Sequence, residues 1–68
     1  MSDRLGNRLR EMRAERELTQ AQLAELVGVS RKTVNTVENG VFVPSTTLSL
    51  KLARGLKVPV EHLFWLSD

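Results

Sequence analysis

Only Gly28 and Val29 separate two helical segments, and this short connection limits what the chain can fold into more than any other feature. Thr19 and Gln22 have the N-cap and N3 spacing of a capping box, which opens a helix at Thr19. Leu23, Ala24 and Val27 form its buried face, with Leu26 beside them. Gly28 ends it, because glycine accepts the left-handed conformation of a tight C-cap. Ser30 is the next cap. A second helix then runs from about Arg31 to Asn39, with Val34 and Val37 inward and Gly40 as its stop. So short a connection forbids an antiparallel return, and the two helices meet at a sharp corner.

The remaining segments read as three more short helices, giving five in all and an all-α chain. The first is expected from Asp3 to Arg16, capped by Ser2 or Asp3. Leu5, Leu9 and Met12 recur at helical spacing along it, and Gly6 is a mild cost inside it. Pro44-Ser45 is a start signal for a helix from about Thr46 to Gly55 or Leu56, with Leu48, Leu52 and Ala53 inward. Pro59 suits the first position of a last helix that reaches about Phe64. No strand is predicted before the end of the chain.

At 68 residues the chain is a single domain, 1–68, and a small one. It has no cysteine, so no disulfide or thiolate metal site reinforces it. Its stability must come from economical helix packing, from a partner subunit, or from both. No apolar run approaches a membrane span, and the N-terminus has no signal-peptide core, so a cytoplasmic protein is expected. Ten Lys and Arg against eight Asp and Glu give a net charge of +2, a weak pointer to nucleic acid. Their placement says more: five arginines fall between Arg4 and Arg16, and Arg31-Lys32 stand at a helix start.

Between the inward valines of the helix after the corner, Arg31, Lys32, Thr33, Asn35 and Thr36 project outward or sideways. Arg and Lys donate to guanine, Asn pairs with adenine, and a Thr methyl touches a thymine methyl, so these are candidate contacts to DNA bases. Gln20, at the start of the preceding helix, is placed to meet a phosphate beside free backbone amides. Ser30 and Asn39, at the two ends of the reading helix, are further phosphate candidates that fix register without reading bases. Cations at a helix N-terminus oppose its dipole, so Arg31-Lys32 favour a role in contact with DNA over simple solvation. Arg4, Arg8, Arg10 and Arg16 divide evenly between solvation and phosphate contact. His62 has no neighbouring ligands and reads as a surface or capping residue. No spacing sets a nucleophile beside a base, so an enzyme is not expected, nor a metal or other cofactor.

Leu18-Thr19-Gln20-Ala21-Gln22-Leu23-Ala24, then Val27-Gly28-Val29-Ser30 and Val37-Glu38-Asn39-Gly40, resemble the Cro/CI-type, or xenobiotic-response-element-type, helix-turn-helix family. Pro44-Ser45, Leu52-Ala53 and Pro59-Val60-Glu61-His62-Leu63-Phe64 match its later helices, so the resemblance spans about Leu5 to Leu66. It implies a compact five-helix, lambda-repressor-like DNA-binding domain with its helix-turn-helix at 19–40. It also implies a bacterial, archaeal or phage-encoded regulator working at the nucleoid, commonly a homodimeric repressor of a pseudo-palindromic operator. Residue by residue it implies phosphate contacts from Gln20 and Asn39, base contacts from Arg31, Lys32 and Thr36, and a structural Arg13–Glu38 pair. Two rivals share the domain: the antitoxin of a toxin–antitoxin pair, which binds a protein toxin as well, and the controller of a restriction–modification system.

Phe64-Trp65-Leu66 has two readings. The cluster folds back on the core, or it forms half of a dimer interface within a tail at 60–68, where aromatic residues are favoured. The second is preferred, with a short C-terminal strand that pairs with its counterpart. Phe42 is a further candidate, for that interface or for packing beside the DNA backbone.

Overall fold

A computed structural model describes residues 3–67. The suggested cap Ser2 lies outside the described residues, as do Met1 and Asp68 at the ends of the 1–68 domain and the 60–68 tail. The corner comes first in the argument because both of its helices are closed locally. Helix α2 spans Gln20–Val27 and helix α3 spans Arg31–Glu38. Both bonds of the capping box are present: the Gln22 amide donates to Thr19 Oγ1 at 3.0 Å, and the Thr19 amide to Gln22 Oε1 at 2.8 Å. Gly28 has φ +78°, a left-handed conformation that a side chain would strain. Ser30 caps α3 by accepting from the Thr33 amide at 3.1 Å.

Helix α4, Thr46–Leu56, is capped by Ser45, and α5, Val60–Leu63, starts after Pro59. The core is built from Leu23, Ala24 and Val27 of α2, Val34 and Val37 of α3, and Leu52, Ala53 and Leu56 of α4. Leu9 and Leu63, both fully buried, and Phe64 complete it. Leu26, expected beside the buried face of α2, is instead 58% exposed.

The N-terminal segment departs from the sequence reading. Helix α1 runs only over Leu9–Glu15, and Arg4–Asn7 form a strand, β1, in place of the helical turns expected from Asp3. Its partner is β2, Phe64–Ser67, antiparallel, with Leu5 opposite Leu66, Gly6 opposite Trp65 and Asn7 opposite Phe64. The C-terminal strand therefore pairs within its own chain. The reason lies at Gly6. A Cβ there would stand 2.4 Å from Trp65 Nε1, so only glycine lets the indole lie against the strand. Arg8 covers the ring from one side, its guanidinium carbon 4.9 Å from the ring centroid. Asn7, the last residue of β1, braces the turn into α1, whose N-cap is Arg8: its Oδ1 accepts from the Leu9 amide at 2.9 Å while its Nδ2 donates to the Val37 carbonyl at 3.1 Å. Leu5 still packs on the core, from a strand. Phe64, expected at an interface between copies, is 8% exposed and belongs to the core of the single chain. The fifth helix is correspondingly shorter, because the chain is extended from Phe64 onward.

Candidate nucleic-acid interface

Helix α3 turns Val34 and Val37 into the core, which leaves its other sides to polar residues. Arg31 and Lys32 are exposed, and Thr33, Asn35 and Thr36 are half-buried. All five belong to one helix and reach the surface, but they are not equivalent. The Thr33 hydroxyl shares a 2.9 Å hydrogen bond with that of Ser30. The Thr36 hydroxyl donates toward the Lys32 and Thr33 carbonyls, each at 3.0 Å. Both hydroxyls are thus engaged locally, whereas Arg31 and Lys32 are the more exposed members of the set.

Behind this face lies a polar hub centred on Glu38, whose side chain is completely buried. Arg13 Nε donates to Glu38 Oε2 at 2.6 Å, and Arg13 Nη2 to Oε1 at 3.3 Å. Arg13 Nη1 also donates to the Leu18 carbonyl at 2.7 Å, so one guanidinium joins α1, the segment before α2, and α3. Burial by itself would raise the Glu38 carboxyl. The hydrogen bonds from Arg13 and Gln20, the charge of Arg13 and the bond from Arg10 outweigh it and hold the group below the usual carboxylate range. No buried side-chain nitrogen or oxygen among the described residues lacks a hydrogen-bond partner.

Two of the three phosphate candidates, Gln20 and Asn39, attach to this hub, while the Ser30 hydroxyl bonds only to Thr33. Gln20 Nε2 donates to Glu38 Oε1 at 3.1 Å, while Gln20 Oε1 accepts from Arg31 Nη1 at 3.3 Å and from Asn35 Nδ2 at 3.4 Å. Chemistry dictates that amide orientation, since a carboxylate only accepts and a guanidinium only donates. On the other flank, Arg10 Nη2 donates to Asn39 Oδ1 at 2.8 Å and Arg10 Nε to Glu38 Oε1 at 3.4 Å. Asn39 therefore keeps its Nδ2 hydrogens for an outside acceptor. The sequence reading left Arg10 undecided and gave Gln20 no link to Glu38. Arg10 and Arg13 do share one face of α1 by their spacing, and that signal pointed to a common partner. The bond from Gln20 to Glu38 had no such local signal.

Residues 4–65 match the helix-turn-helix domain family. The chain is 40% identical over 64 residues to the HTH-type transcriptional regulator YgzD of Bacillus subtilis, covering 94% of this chain and 97% of that protein. It is 44% identical over 61 residues to the HTH-type transcriptional repressor RghR of the same organism, covering 88% of this chain and 45% of RghR. Among solved structures, the restriction-modification controller protein C.AhdI from Aeromonas hydrophila superposes with a TM-score of 0.80 at 42% identity, over 84% of this chain and 83% of that chain.

Proposed function

As a member of the helix-turn-helix domain family this chain is a DNA-binding transcriptional regulator, and we propose that it acts as a homodimeric, sequence-specific repressor. In this reading α3 enters the major groove. Arg31, Lys32 and Thr36 meet base edges, with Asn35 and Thr33 behind them, and Gln20, Ser30 and Asn39 meet phosphates on either side. One observation carries it. Arg31 and Asn35 both donate to Gln20, which is itself anchored on buried Glu38, so part of the reading face is organised before DNA arrives. Side chains already held in place lose less freedom on binding.

The homodimer is supported by apolar surface the single chain leaves uncovered. Val43 and Leu50 are 69% and 53% exposed beside a groove that Pro44, Val60 and Phe64 also line. Leu66 is 72% and Trp65 38% exposed on the neighbouring sheet. We place the interface there, with Trp65 and Leu66 at its margin and Phe64 beneath it. A twofold axis matches half-sites roughly 34–36 Å apart on a pseudo-palindromic operator, where occupancy would block polymerase. RghR is named as a repressor and C.AhdI as a controller, in keeping with this output. Among the described residues no helix is long and apolar enough to cross a membrane, and the proposed place of action is the nucleoid.

Selection of bound sequences from a random duplex pool, at stated salt, tests the reading. An enriched motif with twofold symmetry and two chains per site by sedimentation are expected. Arg31→Ala should weaken binding to the selected site by about 1–3 kcal/mol and relax one position of the motif. An equal loss on random DNA would assign Arg31 to a phosphate instead, and one chain per site would remove the dimer.

A further inference from the structure

We propose that Asn7 is a positioning residue for operator recognition: it ties the end of α3 to the sheet beside the proposed dimer interface, and so sets which spacing of half-sites the protein accepts. This rests on the homodimeric reading, with α3 in the major groove. Asn7 is half-buried at the end of β1, and its backbone pairs with Phe64 of β2. Phe64 in turn lines the groove assigned to the contact between copies, beside Val43 and Leu50. The next amide, that of Arg8, donates to the Leu63 carbonyl at 3.1 Å, so the same junction holds the end of α5. From this fixed point the Asn7 side chain reaches 30 positions along the chain, where its Nδ2 donates to the Val37 carbonyl of α3 at 3.1 Å.

The bond falls where α3 most needs a donor. The last carbonyls of a helix have no partner within it, and helix ends fray for that reason. The Val37 carbonyl accepts from the Gly40 amide at 3.1 Å as well as from Asn7, which occupies both of its lone pairs. Arg10 and Arg13 hold the same end of α3 from α1, through Glu38 and Asn39, whereas Asn7 holds it from the sheet. Asparagine suits the position because one side chain must accept from the Leu9 amide and donate to a carbonyl; aspartate lacks the donor. Two reading helices on a rigid frame fit one separation of half-sites. Adding or removing one base pair moves a half-site by about 3.4 Å and turns it by about a tenth of a helical turn. With the tie to Val37 released, α3 tilts more freely against the interface and the preference for one spacing weakens.

Asn7→Ser supplies the test. Its hydroxyl still accepts from an amide two positions on, as serine does in turns, but is too short to reach Val37 as well. Binding of the full chain is measured on the site selected from a random pool and on the same site with one central base pair added or removed. The temperature is one at which helical circular dichroism shows both proteins fully folded. The natural chain should bind the shifted sites about tenfold more weakly, as when a base contact is lost. Asn7→Ser should bind the selected site about threefold to tenfold more weakly, the worth of one hydrogen bond, and the shifted sites little more weakly than the natural chain does, so the spacing ratio falls to about threefold or less. Asn7→Asp keeps the acceptor and the shape without the donor; it should lower the ratio likewise, and it serves if Asn7→Ser does not fold. A residue that only stabilised the fold would leave the ratio alone. An unchanged ratio in either folded variant therefore overturns the role of Asn7 and leaves the dimer standing, as does a natural chain indifferent to spacing. One chain per site by sedimentation overturns the dimer and the role of Asn7 together.

Discussion

The corner between α2 and α3 and the sheet of β1 and β2 differ in where their partners lie along the chain. At the corner each helix end is closed by a residue within three positions: Thr19 with Gln22, Ser30 with Thr33. In the sheet, Gly6 meets Trp65 across almost the whole chain. Two arginines differ in another way, since both reach partners far along the chain but meet different chemistry. Arg13 spends its guanidinium on a fully buried carboxylate and a backbone carbonyl. Arg8 lies over the half-exposed Trp65 ring, a contact worth about 0.5–1 kcal/mol at an exposed site. Charge is indispensable at the corner, because a buried carboxylate left alone is costly. At the sheet, shape matters more, since a bare strand must leave room for an indole.

Arg13→Ala is the strongest way to test that contrast. It leaves Glu38 buried without its main partner, and the loss should be about 3 kcal/mol or more in urea unfolding followed by helical circular dichroism. For a domain of this size that is a large part of a total of roughly 5 kcal/mol. Gly6→Ala should cost less, about 1–2 kcal/mol, because the clashing atoms belong to a side chain that can swing away. Trp65, the single tryptophan, should then show red-shifted emission while helicity is retained. If Gly6→Ala destabilised as much as Arg13→Ala, the sheet would prove as central as the hub.

A third effect is smaller and concerns acid. The Glu38 carboxyl is held below its ordinary value of about 4.5 in the folded chain, so its ionised form stabilises the fold above that value. That contribution should disappear as pH falls through the lowered folded value. The stability advantage of the natural chain over Glu38→Gln should therefore shrink from about pH 5 downward. An advantage that stays constant with pH would show that shape, not ionisation, makes Glu38 useful.

Much of the fold and part of the candidate site are legible in local spacing. The caps Thr19, Ser30 and Ser45 and the stop at Gly28 each rely on neighbours a few residues away, and the elements they delimit lie where expected. The inward residues of α2, α3 and α4 follow from helical period for the same reason. The first segment is different. Leu5 and Leu9 fit a helical stripe, but Leu5 reaches the same core from a strand, and the pattern alone does not separate the two. Gly6 was the one discordant residue, and its meaning depends on a tryptophan at the other end of the chain.

The arrangement of the reading face divides along the same line. That Arg31, Lys32 and Thr36 stand outside the valines of α3 is a matter of helical geometry within a few residues. That Gln20 joins Glu38 to Arg31 and Asn35, that Arg10 occupies Asn39, and that Asn7 reaches Val37 depend on three-dimensional packing. Sequence by itself determined the corner, because caps and a two-residue turn act over distances that the backbone covers within one or two helical turns. Only the tertiary structure decided that the chain's two ends pair in a sheet, because the groups that select this pairing become neighbours only after the helices have packed.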